Sequence, residues 1–292
     1  MAGTILRSTD FRSVVEPILN QVYDGVYDQR KDEYKRIFTE SNGTPRSYHE
    51  EPMLYGFGSA PELPDGTPVT YDQGGQLFIK RYPYTVYGLA FAITKVLQED
   101  GDHIRLGSTY SKHLAQSMIE TMETVTVNDL NRAFNASYVG GDGSALCVNS
   151  HADAIGGATG AASRSNLLTT SAALSQTSLE QMLIQIRQAE DPRGKKINLN
   201  PRKLVVSPSN MLVAEVLVKS VLRTGTNNND LNPVKSMGLI EDVVTLSRLT
   251  STTAWWVQTD APEGMKVLWR RRTEKGMEGD FETDSVRYKS TM

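Results

Sequence analysis

Apolar residues recur at every fourth position through the middle of the chain, which predicts one long helix over residues 106–135. The stripe consists of Leu106, Tyr110, Leu114, Met118, Met122, Val125, Leu130 and Phe134. At about 1.5 Å per residue such a helix spans on the order of 45 Å, which exceeds the three or four turns of a typical globular helix. It should lie along one edge of an elongated body. A coiled coil is disfavoured, because the stripe steps mostly by four and charged flanking partners are missing.

Residues 1–51 mix charged side chains closely and offer only short apolar pairs. A short amphipathic helix is predicted by the apolar positions that fall at helical spacing, which are Phe11, Val14, Val15, Ile18, Leu19 and Val22. Two interpretations of this segment stay open. It is either an ordinary helix packed on its own domain or an arm that lies across a neighbouring subunit.

The turn sequence Asp72-Gln73-Gly74-Gly75 separates two short apolar runs, residues 69–71 and 77–79. This arrangement predicts a β-hairpin. A lone two-stranded hairpin is only marginally stable in water, so it has to pack on something, and its own chain offers little nearby. Further along, large residues alternate with Gly and Ala over residues 87–93, which predicts a strand pressed against a helix.

The second half of the chain predicts one compact α/β unit between long loops and polar strands. Residues 138–170 are rich in Gly, Ala and Ser and should form loops, and residues 265–288 show strand-like alternation with many charges. A capping box at Thr177-Ser178-Leu179-Glu180 opens a helix that stops at Asp191-Pro192. The other elements of the unit are a buried strand at 204–206, a helix at 209–223, a polar loop tip at 226–230, and strands at 243–249 and 254–258.

Composition indicates a soluble protein with a real core, since 39% of the 292 residues are hydrophobic and 22% are charged. The net charge of −3 argues against a dedicated nucleic-acid binder, which is usually basic. The single cysteine, Cys147, excludes an intrachain disulfide and fits a reducing compartment. No N-terminal run resembles a signal peptide, and the longest apolar-leaning stretch, residues 82–94, is too short to span a bilayer. We therefore expect a cytoplasmic protein without a membrane partner.

No strong catalytic, cofactor or metal signature is present in the sequence, so no residue is assigned to those roles. Gly194-Lys195-Lys196 lacks the upstream Gly and the Ser or Thr of a phosphate loop. Metal-ligand spacing is missing among the four histidines, His49, His103, His113 and His151.

A hydrolase built on Ser144, Ser150 and His151, with Asp153 close by, is an alternative hypothesis. It is disfavoured because a catalytic triad is normally assembled from distant segments, whereas these residues are neighbours on one Gly-rich loop.

Arg270-Arg271-Arg272 is the basic run of the chain. Such a run can contact DNA phosphates, but cross-strand or intersubunit ion pairs are favoured, because acidic residues follow closely at Glu274, Glu278, Asp280, Glu282 and Asp284. The three tryptophans are interpreted as core or interface anchors; they are Trp255, Trp256 and Trp269.

Short structural motifs along most of the chain carry a family resemblance. They are residues 84–94 (YTVYGLAFAIT), 131–135 (NRAFN), Ser150-His151, 174–179 (LSQTSL), 191–194 (DPRG), 201–206 (PRKLVV) and 280–289 (DFETDSVRYK). The chain resembles a tailed-phage major capsid protein of the Hong Kong 97 fold, and it is most similar to the Mu-like major head subunit family.

The resemblance implies an α+β fold of the Hong Kong 97 type, in which the long helix is the spine helix of a peripheral domain. The implied segments are an N-terminal arm (1–50), an extended β-hairpin loop (51–81), the peripheral domain with the spine helix (82–137), an α/β axial domain (138–259) and the C-terminal strands of the peripheral domain (260–292).

The resemblance also implies the partners of the chain. Copies should form hexamers and pentamers that close into an icosahedral shell around double-stranded DNA, contacted non-specifically, with a portal at one vertex. Some relatives carry an N-terminal scaffolding segment, and its absence here predicts a separate scaffolding protein or prior cleavage. The protein should assemble in the host cytoplasm and end in the virion. An encapsulin-like nanocompartment, a container of the same fold that holds cargo enzymes, is the alternative.

Three groups of residues are predicted to contact neighbouring subunits: those at the hairpin turn, at the polar loop tip and in the basic run. The loop tip should point toward the axis of the hexamer or pentamer. They are Asp72, Gly74, Gly75, Lys80, Asn227, Asn228, Asn229, Arg270, Arg271 and Arg272.

Overall fold

A computed structural model describes residues 8–30, 32–99, 103–152, 163–223, 230–280 and 285–292. Within these ranges the helices are α1 (Ser8–Asp28), α2 (Lys95–Glu99), α3 (His103–Asn131), α4 (Gln176–Arg187), α5 (Met211–Lys219) and α6 (Pro233–Ser236). The strands are β1 (Thr39–Asn42), β2 (Tyr48–Tyr55), β3 (Gly75–Pro83), β4 (Gly88–Thr94), β5 (His151–Ala152), β6 (Ser163–Arg164), β7 (Pro201–Val206), β8 (Asp242–Thr245), β9 (Trp255–Thr259), β10 (Lys266–Trp269), β11 (Glu274–Asp280) and β12 (Ser285–Thr291). Each of these helices is too short or too polar to cross a membrane.

The predicted long helix is confirmed as α3, but its buried face differs from the apolar stripe. Leu114 and Met118 are buried, whereas Tyr110 is 48% exposed. Each step of four residues overshoots a helical turn by about 40°, so a strict four-residue stripe drifts around the helix. The buried face is instead completed by Ser111 and Glu123, polar residues that an apolar pattern does not reveal.

The first helix packs on its own chain. Val15, Leu19 and Tyr23 of α1 are buried in a cluster with residues of α3, β11 and β12. The hydroxyl of Ser111 donates to the Leu19 carbonyl (2.9 Å), and the hydroxyls of Tyr23 and Ser290 share a hydrogen bond of 2.9 Å. From Val15 onward the segment is therefore an ordinary helix of its own domain, and the interpretation as an arm across a neighbour does not describe this part of it.

The mixed sheet β8-β7-β9 forms the centre of the second half, with β7 parallel to β8 and antiparallel to β9. Successive side chains of a strand point to opposite faces. Leu204 and Val206 accordingly pack with α4 and α5, whereas Val205 packs with residues of α3. The predicted buried strand is thus confirmed as β7, and it is covered on both faces.

The predicted start of α4 is wrong by two residues. The helix is capped by Ser175, whose side chain accepts from the backbone N–H of Ser178, while the Ser178 hydroxyl accepts from the Ser175 N–H. Serine thus performs the reciprocal role expected of Glu180. The second predicted helix is also shorter than expected, because α5 ends at Lys219 and Ser220 has extended backbone.

The predicted hairpin exists, but its first strand is a different segment. Strand β3 pairs antiparallel with β2, from Tyr48 opposite Pro83 to Tyr55 opposite Gly75, with an irregularity after Pro52. Residues 69–71, expected to be the first strand, belong to the exposed connection 56–74. The turn signal at 72–75 therefore marks the entry into β3 instead of a tight hairpin turn.

Candidate subunit interfaces

The hairpin carries apolar side chains that its own chain leaves in solvent. Tyr71 is 96% exposed. The other large apolar side chains exposed on the hairpin and its connection are Met53, Leu54, Phe57, Leu63, Val69, Ile79 and Tyr82. Many large apolar side chains exposed on one segment indicate a surface that meets a partner.

Two of the predicted interface residues are glycines at the closing end of the connection. A side chain at Gly74 would place its Cβ 2.9 Å from the carbonyl oxygen of Tyr55, and one at Gly75 would place it 2.5 Å from the Tyr55 hydroxyl. Gly74 therefore allows close approach to the backbone of Tyr55, whereas a side chain at Gly75 would displace the Tyr55 ring. Both glycines thus have a local structural role.

Asp72 lies beside these glycines and joins both ends of the connection. Its carboxylate accepts from the backbone N–H groups of Gly58 (2.7 Å) and Gln73 (2.8 Å) and from Arg193 (2.9 Å). These hydrogen bonds lower the pKa of Asp72, and the two from backbone N–H groups have the largest effect. Arg193 was not among the residues predicted from the sequence, although it belongs to the 191–194 motif.

Lys80 fastens strand β3 to the loop that follows α3. Its ammonium group donates to the carbonyl oxygen of Val139 at 2.6 Å. Nearby, Phe78 packs so closely on Gly141 that a Cβ there would lie 2.3 Å from the phenyl ring. In the single chain Lys80 thus has an intrachain role.

The basic run is partly paired within the chain, as the ion-pair interpretation predicts. Arg271 lies 3.4 Å from Glu274, and Arg272 lies 2.9 Å from Glu40. Arg270 is exposed. The guanidinium carbon of Arg272 also lies 4.8 Å from the ring centroid of Trp269, so this cation is held in place by a carboxylate and an indole.

The predicted asparagines Asn227, Asn228 and Asn229 lie outside the described residues, so their predicted position stays untested. Earlier in the chain, α5 presents a second apolar surface. Its inner residues Leu217 and Val218 are buried, whereas Leu212 is 72% exposed. Other exposed apolar side chains near it in the chain are Met211, Val213, Val216, Val221, Leu222, Leu231 and Met237.

At the loop of the hydrolase hypothesis, the structure contains a histidine–carboxylate pair but no catalytic triad among the described residues. His151 Nδ1 lies 2.6 Å from the carboxylate of Asp142. Burial raises the pKa of Asp142, but hydrogen bonds from His151 and from the Ser144 N–H outweigh it and lower the pKa. His151 Nε2 has no hydrogen-bond partner among the described residues, so no serine hydroxyl there completes the set. Asp153 lies outside the described residues.

The described part of the chain holds no group of three or more His, Cys, Asp or Glu side chains placed to bind a metal ion. Burial raises the pKa of the Cys147 thiol to about 11, so this cysteine is protonated at neutral pH and is a poor nucleophile.

Sequence comparison identifies the family. The profile of a family described as phage capsid protein matches residues 82–292, which is the greater part of the chain. The chain belongs to this phage capsid protein family. The comparison with curated protein sequences gives no match.

Solved structures with a similar fold include other capsid proteins. The bacteriophage JBD30 capsid is 13% identical to this capsid protein, with a TM-score of 0.58, over 74% of this chain and 90% of that chain. The JBD30 procapsid is also 13% identical, with a TM-score of 0.53, over 82% of this chain and 99% of that chain. A virus-like particle from Pyrococcus furiosus is 10% identical over 94% of this chain and 91% of that chain, with a TM-score of 0.49.

These findings confirm the predicted α+β fold of the Hong Kong 97 type and the prediction of a structural phage capsid protein, whose place is the capsid of the virion. They do not test membership of the Mu-like subfamily, which stays a prediction. The family match begins at Tyr82, so α1 and most of the hairpin lie before it. The family match therefore assigns no role to most of the hairpin.

Proposed function

We propose that this capsid protein is the major head subunit of a tailed phage and that its copies form hexamers and pentamers in an icosahedral shell around double-stranded DNA. The observation that carries the proposal is the exposed apolar surface of the hairpin. Buried apolar area contributes about 25 cal/mol per Å², and the single chain leaves that contribution unused at Leu54, Phe57, Val69 and Tyr71. A second copy of the chain is the partner that a shell always supplies.

The apolar face of α5 supports the same proposal for the ring contacts. Besides the Glu215–Lys219 ion pair, the outer side of α5 exposes the apolar side chains of Leu212 and Val216, and apolar side chains exposed together mark a surface that meets a partner. A ring requires each subunit to offer two different surfaces to its neighbours. The hairpin and α5 are two such surfaces at separate places on the chain.

Further partners belong to the same proposal. A separate scaffolding protein would guide assembly, a portal would occupy one vertex, and the DNA would be contacted non-specifically. The net charge of −3 favours weak contact with the packaged DNA, because tight binding needs many cationic contacts to phosphate. Assembly would take place in the host cytoplasm.

Electron microscopy of the purified protein tests the proposal. The protein, produced with the scaffolding protein of the same phage, should form closed shells in negative stain. Only monomers and small oligomers under these conditions would contradict a shell-forming role. Particles from infected cells should contain nuclease-protected DNA, whereas protein cargo without DNA would favour a nanocompartment.

We further propose that the capsid protein has no catalytic role. The incomplete set around His151 and the protonated Cys147 thiol support this. A serine-reactive probe should leave the protein unlabelled, and labelling that is lost in His151→Ala would overturn the proposal.

A further inference from the structure

The turn at residues 191–195 holds one arginine in a fixed position. The side chain of Asp191 accepts from the backbone N–H groups of Arg193 (2.9 Å) and Lys195 (2.8 Å). The backbone closes the same turn, since the Asp191 N–H donates to the Lys195 carbonyl at 2.7 Å. Gly194 has a φ of +80°, a left-handed conformation that favours glycine. The turn is therefore rigid, and Arg193 projects from it.

Arg193 contacts the hairpin connection through several groups at once. One guanidinium nitrogen, Nη1, donates to both carboxylate oxygens of Asp72 at 3.1 and 2.9 Å, and Nη2 donates to the carbonyl oxygen of Gln73 at 2.6 Å. The guanidinium carbon lies 5.2 Å from the ring centroid of Tyr55. Such charge-assisted contacts are shorter and stronger than neutral ones, and the planar guanidinium matches them in a way that a lysine does not.

The contact fixes the connection without covering its apolar side chains. Asp72 also accepts from Gly58, so a single carboxylate joins both ends of the connection to Arg193. Phe57, Val69 and Tyr71 remain exposed next to this point. An autoinhibitory contact would hide those side chains, and this one does not.

We propose that Arg193 is a positioning residue for assembly, which holds the connection 56–74 in one direction on the free subunit so that its apolar side chains are already presented to the neighbouring copy. The inference rests on the proposed shell-forming function. Ordering a loop before binding reduces the entropy lost when the contact forms. The arginine thereby speeds assembly and is not needed for folding.

Limited proteolysis of free subunits tests the positioning directly. Chymotrypsin cleaves after tyrosine, and the bond after Tyr71 needs a segment that can extend into the protease. In Arg193→Ala the rate of this cleavage should rise roughly threefold to tenfold, as expected for the loss of a charge-assisted contact at a partly exposed site. Arg187→Ala is the matched control, because Arg187 is an exposed arginine at the end of α4 and its loss removes the same charge. Equal rates in the two variants would overturn the inference.

Assembly kinetics, followed by light scattering, provide the second readout. Arg193→Ala and Asp72→Asn should each slow assembly several-fold relative to the wild type and to Arg187→Ala. Because the two residues act as one unit, the double variant should be no slower than the slower single variant. Arg193→Lys should recover only part of the rate, because lysine has a single amino group in place of the two guanidinium nitrogens that contact Asp72 and Gln73.

The two proposals fail in different ways. If Arg193→Ala assembles as fast as Arg187→Ala, the positioning role is wrong while the shell-forming function stands. If the wild type itself forms no shells with its scaffolding protein present, the shell-forming function is wrong. A melting temperature of Arg193→Ala well below that of Arg187→Ala would show that Arg193 is needed for folding, and this would also overturn the positioning role.

Discussion

Glu123 is a charged residue on α3 that is only 2% exposed. Its carboxylate accepts from the backbone N–H groups of Glu33 (2.8 Å) and Tyr34 (3.2 Å), which begin the short 3-10 helix Tyr34–Arg36. Burial raises the pKa of Glu123. The residue thus ties the segment after α1 to the long helix, and an apolar pattern cannot reveal it.

Replacing Glu123 by alanine should destabilise the subunit. The substitution leaves the buried N–H of Tyr34 and the half-buried N–H of Glu33 without an acceptor, and an unsatisfied buried group costs about 1–3 kcal/mol. Glu123→Gln keeps one acceptor oxygen and should lose less. Urea unfolding of the free subunits measures both free energies, and equal stability of the wild type and Glu123→Ala would contradict the assigned role.

Glu40 should make the stability of the subunit depend on pH in the acid range. Burial raises its pKa, but hydrogen bonds from Tyr34 (2.5 Å) and Arg272 (2.9 Å) and the nearby Lys35 outweigh burial and lower the pKa of Glu40 to about 2. A carboxyl group whose pKa is depressed by folding stabilises the native state above its ordinary pKa of 4.5 and loses that contribution as the pH falls toward 2.

The expected result is a smaller loss of melting temperature in Glu40→Gln than in the wild type between pH 6 and pH 3. Other carboxylates lose their contributions equally in both proteins, so the difference isolates Glu40. Parallel pH profiles would show that the hydrogen bonds to Glu40 do not stabilise the fold.

At the scale of single residues, the sequence predicted that the arginines would be paired with acidic side chains, but it did not identify every partner. Arg271 and Arg272 are paired with acidic side chains, as expected, but the partner of Arg272 is Glu40, which is far away in sequence. Arg193 could not be predicted as a contact residue, because the sequence does not show that its turn lies beside Asp72. Long-range pairs of this kind depend on the folded topology.

Among the elements, α3 and β4 could be predicted from their apolar periods, and β7 from its short continuous apolar run at 204–206. The hairpin was predicted only in part. The local turn sequence at 72–75 suggested a tight hairpin with residues 69–71, whereas β3 pairs with β2 across the longer connection 56–74. Strand β2 contains Pro52 and two glutamates, so its sequence lacks the usual strand composition.

Replacing the connection 56–74 with an Asn-Gly turn tests the role of the hairpin. Tyr55 and Gly75 are opposite each other, and Asn-Gly is the preferred two-residue turn for such a pair. The variant should fold, because the buried clusters around α3 and β7 do not include residues 56–74. It should fail to form shells in negative stain, and normal shells would contradict the proposed intersubunit contact. Circular dichroism melting confirms folding.

For the whole molecule, the sequence indicated that some segments lack an internal partner but could not say which. Both α1 and the hairpin carry apolar residues ahead of the main body, yet α1 is buried on α3 and the hairpin is exposed. Apolar spacing reveals that a surface will be covered, and it does not reveal whether the cover comes from the same chain. The family match at 82–292 supplies the reason to expect sister copies.

A cryo-electron microscopy reconstruction of the assembled particle tests the central claim most directly. The account predicts a closed icosahedral shell in which Phe57, Val69 and Tyr71 of one subunit are buried against the adjacent subunit. A particle in which those side chains remain in solvent, or contact only their own chain, would contradict it.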